Sequence, residues 1–183
     1  MAEREGLLPF KLIEDDSGEA LTSYGGLPLV VETCEALGLA RLVRQHVRIK
    51  QRQRGYSESK YVESVIALIA AGGDCLEDIE RLRSDAGLKL LLGEMPSAEA
   101  VRFFLYGFHD EELIKGRPEE GAFIAEETEP LRGLWEVNRE VVLKASRKEE
   151  PRQATIDQDA TVVESHKEQS RMTYLGERGY QPV

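Results

Sequence analysis

The chain has 183 residues, 41% hydrophobic and 32% charged, with a net charge of −10. That length suits one domain or one and a fraction, and its two cysteines, Cys34 and Cys75, exclude a disulfide framework or a cysteine metal knuckle. The acidic start Met1-Ala2-Glu3-Arg4-Glu5 does not suit a signal peptide, and no apolar run nears the ~20 residues of a membrane span, so a cytoplasmic protein without a membrane partner is expected.

Phe10-Lys11-Leu12-Ile13 is strand-like, Asp15-Asp16-Ser17-Gly18 is turn chemistry, and Ala20-Leu21-Thr22 is expected to return as a hairpin. Pro28 suits the first turn of a helix through Val31, Cys34 and Leu37, interrupted at Gly38 and continued by Leu39, Leu42 and Val43. Val47–Gly55 has little apolar periodicity and reads as a loop or a loosely held helix end. Ser57 is a good N-cap for a helix with a stripe of Tyr61, Val65, Leu68 and Ile69, ended by Gly72-Gly73. Asp74 is expected to cap a short helix carrying Leu76, Ile79 and Leu82; Leu88–Leu92 follows, ending at Gly93. Pro96-Ser97 then opens a helix with Val101, Phe104, Leu105 and Phe108 on one side. Short helix, turn, short helix with a serine cap has the shape of a helix-turn-helix.

From Gly121 to about Lys148 the apolar spacing predicts one long helix, kinked or divided at Pro130, with Trp135 read as core rather than as a stacking platform. Arg147-Lys148-Glu149-Glu150-Pro151 marks a boundary, placing a helical domain at 1–150 and a second unit at 151–183. There the period becomes strand-like. A strand over Gln153–Val163 is followed by a polar turn, a second strand over Arg171–Leu175, and another turn over Gly176–Pro182.

The negative total argues against nucleic acid, but its distribution is uneven. Arg41, Arg44, Arg48, Lys50, Arg52 and Arg54 lie together with no acid between them, whereas Asp110–Glu129 is strongly acidic. This gives either a local basic footprint or two solvated faces. The free cysteines are expected to be buried; His46, His109 and His166 read as surface residues.

On the strand Gln153–Val163, Asp157, Asp159 and Thr161 share one face and Ile156, Ala160 and Val162 the other. Paired carboxylates at an apolar strand are costly unless a cation lies between them, and Mg²⁺ is a common answer; the alternative is a solvent-facing strand end.

Asp157-Gln158-Asp159-Ala160-Thr161-Val162, Glu164-x-His166-Lys167 and Tyr174-x-Gly176-x-x-Gly179-Tyr180-Gln181-Pro182 together resemble bacterial insertion-sequence transposases with a DDE catalytic domain, of the group-1 branch. Leu21-Thr22-Ser23-x-Gly25-Gly26-Leu27, Gly72-Gly73 ahead of Leu76-Glu77-Asp78, and Pro96-Ser97 ahead of Val101 and Leu105 are similar to that group as well. The resemblance implies a mainly α, helix-turn-helix-like N-terminal domain and the truncated start of an α/β RNase H-like domain. It makes Asp159 the first catalytic acid, with Asp157 a supporting ligand for Mg²⁺ or Mn²⁺; the family's later Asp and Glu find no counterpart, so the chain is expected to be catalytically incomplete. It also implies DNA as partner, through the element's terminal inverted repeats, and allows a homo-oligomer. Arg48, Lys50, Arg52 and Arg54 are the expected phosphate contacts, with Ser97, Glu99 and Arg102 at the start of a recognition helix that could equally be structural.

Two rivals stand beside it. Asp157-x-Asp159-x-Thr161 also matches the nucleophile motif of haloacid dehalogenase-type phosphatases, although Gln153-Ala154-Thr155-Ile156 is a poor buried strand and the segment after the motif reads as a hairpin. The other is a non-enzymatic helical DNA-binding or interaction domain.

Overall fold

A computed structural model describes residues 3–5, 11–13, 18–49, 55–116, 118, 125–146, 163–166, 170–173 and 176–180. The chain divides into two compact units, residues 1–148 and 149–183.

In the first unit, β1 (Glu3–Glu5) and β2 (Lys11–Ile13) pair antiparallel, with Arg4 opposite Leu12. The expected partner for Lys11–Ile13, Ala20–Thr22, is not a strand. Its backbone instead lies over Gly87, where an added Cβ would come within 2.6 Å of the Leu21 carbonyl carbon. The close approach of a glycine substitutes for strand pairing there.

α1 (Leu27–Leu37) carries Pro28 in its first turn and ends at Gly38, whose φ of 74° is left-handed; α2 (Leu39–His46) restarts directly from that residue. α3 (Glu58–Ala70) is capped as expected, the Ser57 hydroxyl accepting from Lys60 N–H at 3.3 Å. Its buried face holds Ser64, Ala67 and Leu68, while Ile69, expected in the stripe, is exposed. Ser64 tolerates burial because its hydroxyl donates to the Lys60 carbonyl at 2.7 Å.

A 3₁₀ turn (Leu76–Asp78) leads into α4 (Ile79–Ser84) and α5 (Ala86–Leu92). The expected cap at Asp74 is reversed: Asp78 reaches back, its Oδ2 accepting from the backbone N–H of Asp74 at 3.0 Å and of Cys75 at 3.2 Å. Cys75 is accordingly exposed rather than buried, and Cys34 is half-buried, its thiol pushed up by that burial. Asp85 joins α4 to α5 and caps the latter by accepting from Leu88 N–H at 2.7 Å.

α6 (Ala98–Tyr106) begins at Ser97, and α7 (Glu111–Lys115) is a short helix in the acidic block that apolar spacing did not announce. α8 (Glu129–Ser146) starts later than expected and runs through without a break among the described residues. Pro130 is its second residue, where the missing N–H costs nothing; Thr128 Oγ1 accepts from Leu131 N–H at 3.3 Å just before it. Residues 121–124 lie outside the described residues.

Two apolar clusters share α3. One joins Leu27, Ala67, Leu68, Ile79, Leu82, Leu88 and Val101; the other joins Leu39, Leu42, Val43, Val47 and Val137, with Val62 and Ile66 packed against it.

The second unit holds a three-stranded antiparallel sheet in the order β3 (Val163–Glu164), β5 (Arg178–Tyr180), β4 (Arg171–Met172). The expected turn over Gly176–Pro182 therefore contains the central strand. Gly176 is a turn residue, φ 81°; Gly179 is instead a strand residue where an added Cβ would meet the Val163 carbonyl oxygen at 2.4 Å. The second glycine serves a close backbone approach rather than a reversal.

Acid sensitivity arises from the caps. The carboxyl of Asp85 is held below the ordinary aspartate range, first by the Leu88 N–H; those of Asp78 and Glu80 are lowered likewise, mainly by the Cys75 and Ala98 N–H groups. A depressed folded-state value stabilises above the unfolded-state pKa and is lost as pH falls through the folded value. Stability should therefore drop below about pH 4. Asp85→Asn should flatten that acid limb in pH-dependent urea melts; an unchanged limb would refute the assignment.

Candidate nucleic-acid interface and acidic strand

α2 is amphipathic in a simple way. Leu39, Leu42 and Val43 are buried, Arg41 and Arg44 are exposed, and beyond the helix Val47 is buried and Arg48 exposed. Three contacts from α8 hold it. Lys144 Nζ donates to the Leu37 carbonyl at 2.8 Å, at the α1–α2 junction. His46 Nε2 lies 2.9 Å from Glu140 Oε1, so His46 is a half-buried paired residue rather than a surface one. Gly133 lies against the His46 carbonyl, leaving no room for a side chain. His109 and His166 are exposed, as expected; His166 Nε2 is 3.7 Å from Glu164 Oε1.

Among the described residues, most other cations of the first unit are engaged. Lys60 pairs with Glu63 at 2.5 Å, Arg81 with Asp78 at 3.5 Å, Lys89 with Glu94 at 2.7 Å and Arg139 with Glu136 at 2.7 Å. Arg83 pairs with Glu80, and Lys115 with Glu112. Among the described residues, no carboxylate lies within ion-pair distance of Arg41, Arg44 or Arg48. Lys50, Arg52 and Arg54, which continue this basic run, lie outside the described residues.

The sequence-predicted recognition helix is differently equipped. Ser97 spends its hydroxyl on Ala100 N–H at 3.3 Å, and Glu80 Oε1 accepts from Ala98 N–H at 2.9 Å, so the start of α6 already carries its own anion. Arg102 pairs with Glu77, whose carboxyl is held low by its backbone hydrogen bond first and by Arg102 second. Glu99 is exposed.

Beside Arg48 an open groove of about 620 Å³ runs along the start of α8, lined by His46, Arg48, Arg132, Trp135 and the glutamates 127, 129 and 136. Trp135 is 58% exposed, contrary to the core position its hydrophobicity suggested. At about 100° per residue, Trp135 falls about 200° from Gly133, on the far side from the buried Gly133–Val137 face. Recognising Gly133 as the contact point would have revealed this.

Asp157 and Asp159 lie outside the described residues, immediately ahead of β3. Among the described residues no group of three His, Cys, Asp or Glu side chains could hold a metal. As donors, two aspartates supply the hard oxygens that Mg²⁺ or Mn²⁺ takes alongside water and phosphate, so the donor type fits such an ion. No helix among the described residues is long and apolar enough to cross a membrane.

A family model described as transposase DDE domain, group 1, matches residues 11–183. No curated protein and no solved structure matches the chain.

Proposed function

The chain belongs to the group 1 family of DDE-domain transposases, and from that membership we propose that residues 1–148 bind the DNA ends of a mobile element while residues 149–183 supply the first strands of an RNase H-like catalytic domain. The observation that carries the DNA-binding half is the exposed arginine face of α2, free of carboxylate partners among the described residues. Phosphodiester backbones are read by such cations largely independently of sequence. Arg41, Arg44 and Arg48, continued by Lys50, Arg52 and Arg54, are the phosphate contacts. The α4–α6 segment is helix-turn-helix-like in outline, with Ser97 capping α6 and Arg102 paired with Glu77, and both remain candidate DNA contacts at the start of that helix.

Asp159 is the first acid of the catalytic set and Asp157 a supporting ligand. The ion they would hold, Mg²⁺ or Mn²⁺, would supply charge neutralisation on the phosphoryl oxygens; the chain's own part is to provide carboxylate oxygens for it. Nothing supports the phosphatase reading: the described residues after the motif form an antiparallel sheet, not a helix-bearing parallel unit.

The test is a salt-dependent titration of the 183-residue chain on inverted-repeat and random duplexes. Arg41/Arg44/Arg48→Ala should weaken binding and lower the slope of log K against log salt by roughly 0.9 for each phosphate no longer neutralised. Unchanged affinity and slope would remove the interface.

A further inference from the structure

We propose that the groove between Arg48 and α8 is a stacking site for one unpaired nucleotide of DNA, with Trp135 as the platform and Arg48 and Arg132 holding the adjacent phosphate. It rests on, and extends, the DNA-binding reading of α2. Three observations carry it. Trp135 leaves 58% of its surface exposed on a helix whose buried face is satisfied by Gly133 and Val137. It does so along an open groove of about 620 Å³, wide enough to admit a base. The same groove is lined by two arginines, and aromatic faces flanked by cations are what bind unpaired bases without sequence preference.

The groove's acids define the occupant further. Glu136 is engaged by Arg139, but Glu127 and Glu129 also line the groove. A duplex brings one negative charge per about 1.7 Å of axis and would meet those carboxylates repeatedly. A single extruded or overhanging nucleotide brings one phosphate and one neutral ring, which two arginines and an indole accommodate. Arg48 belongs both to this groove and to the basic run starting on α2, so a duplex lying along Arg41 and Arg44 would deliver its frayed or overhanging end here.

Trp135 is the only tryptophan, so its fluorescence reports on this site alone. The 183-residue chain is titrated with a blunt duplex, with the same duplex bearing a short thymidine overhang, and with free oligothymidylate. The overhang should quench the indole saturably and tighten binding about tenfold, within the range measured for stacking one base on an aromatic ring. Trp135→Ala should abolish that gain while leaving blunt-duplex affinity unchanged; Trp135→Phe should keep most of it, separating stacking from misfolding. Equal affinity for blunt and overhung duplex, or a gain that survives Trp135→Ala, overturns the stacking site while the α2 interface stands. Oligothymidylate binding that needs Trp135, with no duplex binding, supports the stacking site and overturns the α2 duplex reading. No binding to any of the three DNAs overturns both.

Discussion

Gly133→Ala is expected to destabilise the first unit by about 2 kcal/mol, although alanine is the better helix former. The two effects have opposite signs, and their sizes decide the outcome. Replacing glycine in a helix interior gains roughly 0.5–1 kcal/mol of backbone entropy. Against that, the new Cβ would stand 2.0 Å from the His46 carbonyl oxygen and 2.8 Å from its carbonyl carbon. Both are backbone atoms, so no rotamer change relieves the overlap; α8 must move away from α2. That separation disturbs Val137 against Leu42 and Val43 in the buried cluster and lengthens the 2.9 Å His46–Glu140 contact. Overpacking of this kind typically costs ~1–3 kcal/mol, and Gly133→Val should cost more. The measurement is the urea midpoint at constant slope, with Gly25→Ala as control, since an added Cβ there meets nothing within 4 Å. A Gly133→Ala midpoint at or above the parent value would mean that α2 and α8 do not approach so closely. Because α8 fixes the end of α2, the same substitution should weaken duplex binding without removing any arginine.

What the sequence made legible was the chemistry that acts within a few residues. Ser57 and Ser97 cap their helices, Gly38 ends α1 left-handed, and Pro28 sits in a first turn, all from local backbone demands. Features set by a distant partner stayed hidden. Trp135 read as core because hydrophobicity is scored without knowing which face of α8 meets α2, and Gly133 alone settles that. Gly179 read as a turn because a glycine needed for close approach in a central strand is indistinguishable in sequence from one needed for a reversal. The basic run over residues 41–54 was plain in the sequence. That Arg41, Arg44 and Arg48 lack acidic partners among the described residues, while Arg102 is taken by Glu77 some 25 residues away and His46 by Glu140 some 94 away, depends on the fold. Asp157 and Asp159 rest on motif and family alone, their positions lying outside the described residues.

The heaviest functional consequence falls on Asp159. In a DNA-cleaving protein that contains these 183 residues, Asp159→Ala should reduce Mg²⁺- or Mn²⁺-dependent strand cleavage by roughly a thousandfold or more. A metal positioned on the phosphoryl oxygens is worth several kcal/mol of transition-state stabilisation, and each ~1.4 kcal/mol is tenfold in rate. Removing one of its carboxylates forfeits much of that. Asp157→Ala should cost less, because a supporting ligand can be replaced by water. Neither aspartate is among the arginines assigned to duplex binding, so duplex affinity and its salt slope should stay at parent values, and that separation distinguishes lost chemistry from lost binding. Normal cleavage by Asp159→Ala would remove it from the catalytic set. Equal losses for the two aspartates would instead make them a joint metal seat.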